Sequence, residues 1–163
     1  MLLKRYLHEL PGFEHLSEAD VEHIAAAMQV DDYPDGHVFV YQDKLAKELF
    51  LVLDGKVSVC RYGRTGKYYC IKTLQAGDFF GLLSLAEGAP SEASCIASGP
   101  VRVAHLPFSA FMLLYQPTSE IGCRFQFVIA SQLARDLHER HRALRELLAR
   151  IYGAGQAQPA KEG

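Results

Sequence analysis

Near the N-terminus the apolar positions recur at helical spacing. Leu2, Leu3, Tyr6, Leu7 and Leu10 share one face, and Pro11-Gly12 interrupts them. Ser17-Glu18-Ala19-Asp20 has the S-x-x-D spacing of a helix cap, and Val21, Ile24, Ala25 and Met28 then line one face of a second helix. From Gln29 the period changes to that of strands, with short β-branched and aromatic runs between turn residues. The runs are 30–33, 37–41, 48–53, 56–62, 67–74, 79–80, 92–97 and 101–106. Asp54-Gly55 between the third and fourth is a hairpin signal, and Gly63-Arg64-Thr65-Gly66 turns the fourth into the fifth. Strands this short, with a turn every 8–12 residues or so, predict a sandwich or barrel. After Pro107-Phe108-Ser109 a short helix is expected over 110–115, broken by Gln116-Pro117-Thr118-Ser119. A long helix follows from Glu120 to about Tyr152. Its apolar positions Ala130, Leu133, Leu137, Leu144, Leu147 and Ile151 alternate by three and four, with Arg140 as a polar break. That is a coiled-coil seam of about three heptads, which predicts pairing of two protomers through this helix. The tail from Gly153 is small and polar and is expected to be disordered.

Composition narrows the function classes. The 163 residues are 49% hydrophobic and 22% charged, the balance of an ordinary globular protein. A net charge of −2 gives no global electrostatic case for nucleic acid or membrane as partner. No apolar run approaches the ~20 residues that span a bilayer, and no signal-peptide core opens the chain. A cytoplasmic protein is expected. Cys60, Cys70, Cys95 and Cys123 form no C-x-x-C pair. Cys60 and Cys70 can face each other across the fourth and fifth strands; in the cytosol the expectation is reduced structural thiols, with a redox switch as the alternative.

The segment Gly77-Asp78-Phe79-Phe80-Gly81 ends a strand on a glycine and leads into Leu82, Leu83, Ser84, Leu85 and Ala86, one or two helical turns. Glu87-Gly88-Ala89-Pro90 then loops back to the next strand. A glycine turn feeding a helix exposes backbone N–H groups and suits an anion. Together with Gly36 before a strand and the stretch Leu49-Phe50-Leu51-Val52-Leu53-Asp54-Gly55-Lys56-Val57, this order of elements resembles the cyclic-nucleotide-binding domain family. That family includes catabolite-activator-type regulators, kinase regulatory subunits and cyclic-nucleotide-gated channels.

The resemblance implies a mainly β fold with flanking helices. Its centre is an eight-stranded jelly-roll-like β-barrel, with N-terminal helices before it and a hinge helix and a long C-terminal helix after it. The barrel domain spans 1–116, the dimerisation helix 117–152 and the tail 153–163. It also implies a ligand site. In the family a phosphate-binding cassette carries Glu after its second glycine, for the ribose 2′-hydroxyl, and Arg after its proline, for the cyclic phosphate. Here those positions are Leu82 and Ser91, and Glu92 follows where the family has a small residue. The candidate ligand-binding set is Phe80, Gly81, Leu82, Leu83, Ser84, Ser91, Glu92, Ala93, and, on the long helix where bacterial regulators cap the base, Arg140 and His141. Losing two charged contacts of ~1.5–3 kcal/mol each weakens cyclic-nucleotide binding by factors of hundreds. Arg140 either reaches into the pocket to supply the missing charge or pairs with Asp136 at i,i+4 on a solvated face.

The function expected is therefore that of a non-enzymatic regulatory module. It senses a small ligand (cAMP, cGMP or another small molecule) and transmits occupancy to the long helix. The alternative is a degenerate domain that only dimerises or docks to a protein partner. The transcription factors of the family place a helix-turn-helix domain after this helix; this chain ends before one fits, so no DNA binding by the chain alone is expected. An enzyme on a cupin-like barrel would need clustered His and carboxylate ligands, and His37 and His105 stand isolated.

Overall fold

The structure is a computed structural model that describes residues 2–116 and 118–154. Helix α1 (Leu2–His8) buries Leu7, a single 3-10 turn (Phe13–His15) buries Phe13, and α2 (Glu18–Ala27) buries Val21 and Ile24. The cap foreseen at Ser17 is a full capping box: the Asp20 N–H donates to Ser17 Oγ at 3.2 Å and the Ser17 N–H donates to Asp20 Oδ2 at 3.1 Å. Arg124 of the last helix also donates to Asp20. The Ser17 hydrogen bond, with the Arg124 contact, holds the Asp20 carboxyl below its ordinary range against the opposing effect of burial. A depressed folded-state value means that the stabilisation is complete above the unfolded carboxylate range, roughly pH 4, and is lost as pH falls through the folded value. Asp20→Ala is accordingly expected to cost about 1–2 kcal/mol at pH 7 and less at pH 3, measured by urea unfolding at the two pH values.

The strands are β1 (Gln29–Tyr33), β2 (Val38–Val40), β3 (Glu48–Asp54), β4 (Val57–Tyr62), β5 (Tyr68–Leu74), β6 (Phe79–Phe80), β7 (Ser94–Ala97) and β8 (Val101–Pro107). They form two antiparallel four-stranded sheets, ordered β1-β8-β3-β6 and β2-β7-β4-β5, a jelly roll that does not strictly close into a barrel. The sequence reading of Asp54-Gly55 as a hairpin is corrected here. β3 and β4 do not pair; β3 pairs with β6 and β8, while β4 pairs with β5 and β7. Gly55 turns the chain from one sheet to the other at φ +84°, where a Cβ would lie 2.5 Å from the Pro100 carbonyl oxygen.

β4 and β5 do form the expected hairpin, and Cys60 stands directly opposite Cys70. The two are joined in a disulfide, which corrects the expectation of reduced thiols. A register shift between Val59 and Cys60 puts the pair face to face, with the Cα atoms 4.0 Å apart. Cys95 on β7 is buried, and burial pushes its thiol up to about 12.

Leu49, Leu51, Val52, Val57, Val103 and Leu106 from the sheets fill the core together with the N-terminal helices. α4 (Phe108–Leu114) adds Phe111, and the start of α5 (Glu120–Ala154) adds Phe125, Val128 and Ile129. The 35 residues of α5 extend about 50 Å at 1.5 Å per residue. Gln132 Nε2 and an Arg135 guanidinium N–H donate to the Pro11 carbonyl at 3.0 and 2.8 Å, binding its middle to the N-terminal turn. From Leu137 to Tyr152 every residue is exposed. Gly153 and Ala154, assigned from the sequence to the tail, still belong to α5; the rest of that tail, 155–163, lies outside the described residues. Among the described residues no helix is long and apolar enough to cross a membrane.

Candidate functional site

The cassette between β6 and β7 is built by one glycine and one serine. Gly81 caps the N-terminus of α3 (Leu82–Glu87) at φ +79°, and a Cβ there would lie 2.6 Å from the Glu48 carbonyl oxygen of β3. Only glycine allows β6 to pass this close to β3 and turn at once into the helix. Ser84 is buried and its hydroxyl joins two segments, accepting from the Ala46 N–H at 2.9 Å and donating to the Ala89 carbonyl. Gly88 ends α3 in the left-handed region, as helix C-termini prefer.

The loop from β2 to β3 is hydrogen-bonded along the outside of the cassette. The Ser91 N–H donates to the Lys44 carbonyl and the Asp43 N–H to the Ser91 carbonyl, both at 2.8 Å. The Gln42 N–H donates to Ser94 Oγ at 2.9 Å. A cleft of about 760 Å³ opens beside this seam, lined among others by Tyr33, Phe39, Phe50, Lys44, Glu48 and Pro90.

The structure brings most of the residues proposed from sequence into one segment, with different surroundings for each. Phe80, Gly81, Leu82, Leu83, Ser84, Ser91, Glu92 and Ala93 all lie in the cassette segment. Phe80 stacks on Phe50 with centroids 4.8 Å apart, and Leu82 is 4% exposed and packed in the core. Leu83 and Glu92 face solvent, and Ala93 is buried. The Ser91 hydroxyl is committed to the Ala93 carbonyl at 2.8 Å. Arg140 and His141 lie on the fully exposed part of α5, and His141 lines a shallow groove there with Arg135, His138, Arg142 and Arg145.

Asp136 does not pair with Arg140, as an i,i+4 reading had it, but with Lys72 of β5. Lys72 Nζ lies 3.4 Å from Asp136 Oδ1 and 2.8 Å from Glu139 Oε2. Burial works to lower the Lys72 value, but the Glu139 hydrogen bond and the charges of Asp136, Glu139 and Asp78 outweigh it and hold the ammonium above its ordinary range. In turn the Lys72 hydrogen bond, against a desolvation that raises it, keeps Glu139 low. Lys72 went unread in the sequence; the signal was a lysine two residues before Leu74, in the buried phase of an edge strand.

His105 is not isolated either. It is buried on β8, with Nε2 2.8 Å from Asp31 Oδ2 of β1, while Nδ1 lies 2.9 Å from Glu48 Oε2 of β3 without a hydrogen bond to it. His37 packs against Tyr33 and Phe39 at 4.4 and 4.8 Å. Among the described residues no three His, Cys, Asp or Glu side chains gather as a metal-holding cluster.

Residues 30–117, more than half of the chain, match the cyclic nucleotide-binding domain family. The chain belongs to that family. The cAMP-dependent protein kinase regulatory subunit of Neurospora crassa is 30% identical over 132 residues, which cover 81% of this chain and 34% of that protein. The chain thus spans about a third of the length of that relative. A cyclic nucleotide-binding domain from Methylobacillus flagellatus has the same fold with a TM-score of 0.77 at 23% identity, over 88% of this chain and 82% of that one. The catabolite activator protein of Thermus thermophilus matches with a TM-score of 0.66 at 27% identity, over 87% of this chain and 63% of that one.

Proposed function

We propose that this domain is a non-catalytic sensor whose cassette takes a cyclic nucleotide, cAMP or cGMP, and whose occupancy is passed to α5. The observation that carries the reading is the intact cassette geometry: Gly81 at its positive φ, the short helix α3, and a loop fixed to β2–β3 through Ser84 and Ser91. The relative in Neurospora crassa is named as a cAMP-dependent regulatory subunit, which supports a regulatory role. The affinity is low, because Ser91 offers a phosphate no cation and Glu92 places a carboxylate beside it. Thermal unfolding against cAMP and cGMP tests this. At ten times the dissociation constant a ligand adds about 1.4 kcal/mol, a rise of roughly 3–6 °C for a domain of this size. That rise is expected at millimolar and not at micromolar nucleotide. A flat melting temperature up to several millimolar of both nucleotides sinks the proposal.

The exposed stripe of Leu137, Leu144, Leu147 and Ile151 supports a homodimer through α5. Leu137→Glu puts a charge in the seam, and sedimentation is expected to show half the wild-type mass; an unchanged mass refutes the dimer.

A further inference from the structure

The inner wall of the second sheet carries one residue that does not fit a wall. Val57, Leu74 and Ala97 are opposite one another across β4, β5 and β7, and all three are buried. One row along on the same face come Val59, Lys72 and Cys95. Lys72 therefore rises from the interior side of edge strand β5 and runs up to α5. At about 4.8 Å between strands, its backbone lies roughly 10 Å from that of Cys95, just beyond the cassette residues Glu92 and Ala93.

We propose that Lys72 is the anion-receiving residue of this ligand site, and that Asp136 and Glu139 hold it as a displaceable latch on α5. The inference rests on the ligand-sensing reading above and adds to it the cation that the cassette lacks. Ser91 cannot supply a cation, Leu82 is in the core, and Arg140 lies on the exposed stretch of α5. Lys72 is a cation on the inner wall, with 37% of its side chain exposed. It has reach to water and so to an entering anion.

The pair is built to exchange. The Asp136 and Glu139 side chains are 49% and 51% exposed, so water screens their hold on Lys72. Arg135 and Arg142 both act on Glu139, so its charge stays compensated when Lys72 turns away. The position matters for signalling. Up to Leu133 α5 packs on the body, from Leu137 it is exposed, and Asp136 and Glu139 straddle that point of departure. An anion that takes Lys72 loosens α5 where it leaves the domain, and a loosened α5 frees Lys72 for the anion. That is a differential affinity for two placements of one helix.

The test uses cyclic AMP as the probe, with Lys72→Gln, Lys72→Arg and the double variant Asp136→Asn/Glu139→Gln. Titration is expected to show affinity at least tenfold lower in K72Q, near wild type in K72R, and several-fold higher in the double variant. Without nucleotide, amide exchange across 136–145 is expected to quicken several-fold in both K72Q and the double variant. K72Q binding cyclic AMP as wild type does overturns the receptor role, and unchanged exchange in both variants overturns the latch. If neither wild type nor any variant binds while exchange still quickens, the nucleotide reading fails and the latch stands. Retained affinity in K72R separates a lost charge from a damaged wall.

Discussion

Replacing Ser91 by arginine and Glu92 by serine is expected to raise the affinity for cyclic AMP by a hundredfold or more in calorimetric titration. The backbone of position 91 is already held on both sides by the Lys44 carbonyl and the Asp43 N–H, so a new side chain starts from a fixed base. The present hydroxyl gives up only its bond to the Ala93 carbonyl. A guanidinium there can pair bidentately with a phosphate, and losing the Glu92 charge removes a repulsion. Two effects of about 1.5 kcal/mol or more each amount to a factor of about a hundred. Leu82 is best left alone: it is part of the core, and a carboxylate there would be desolvated. Affinity unchanged in the Ser91/Glu92 double variant would mean that the cassette is not where a nucleotide binds.

Gly81→Ala is expected to lower the melting temperature by roughly 4–20 °C and to abolish the nucleotide-induced rise. A left-handed backbone at a residue with a Cβ costs about 1–2 kcal/mol. The methyl would meet the Glu48 carbonyl oxygen at 2.6 Å, and such overpacking against backbone adds about 1–3 kcal/mol. At 2–4 °C per kcal/mol for a domain of this length, the range follows. The strand cannot yield easily, because β3 is also paired along its length with β8. A variant that melts within a degree or two of wild type would show that β6 can move away from β3.

What the sequence revealed and what it hid divide along the range of the interactions. The capping box at Ser17 and Asp20, the eight strands and the glycine turn of the cassette are local, and local spacing was enough to find them. Asp54-Gly55 misled because a turn signal says where the chain reverses, not which sheet the next strand joins; that is decided by β8 and β7, far along the chain. Asp136 had a cation in register on its own helix at Arg140, yet its partner lies 64 residues away on β5. His105 stood alone among its neighbours in sequence, and its Asp31 is 74 residues distant. The phase of β5 was hidden because most of that strand is exposed, so an inward lysine raised no contrast with the residues around it.

The hydrogen bonds from Gln42, Asp43, Ser91 and Ala46 have an effect at the cleft beside the cassette. They make the cassette and the β2–β3 loop one mechanical piece, so a shift of the cassette carries with it Tyr41 and Leu45 of the cleft wall, which are 60% and 57% exposed. The chain contains no tryptophan. A single one introduced at Leu45 would therefore be a silent optical gauge, reporting the state of the cassette from the solvent side.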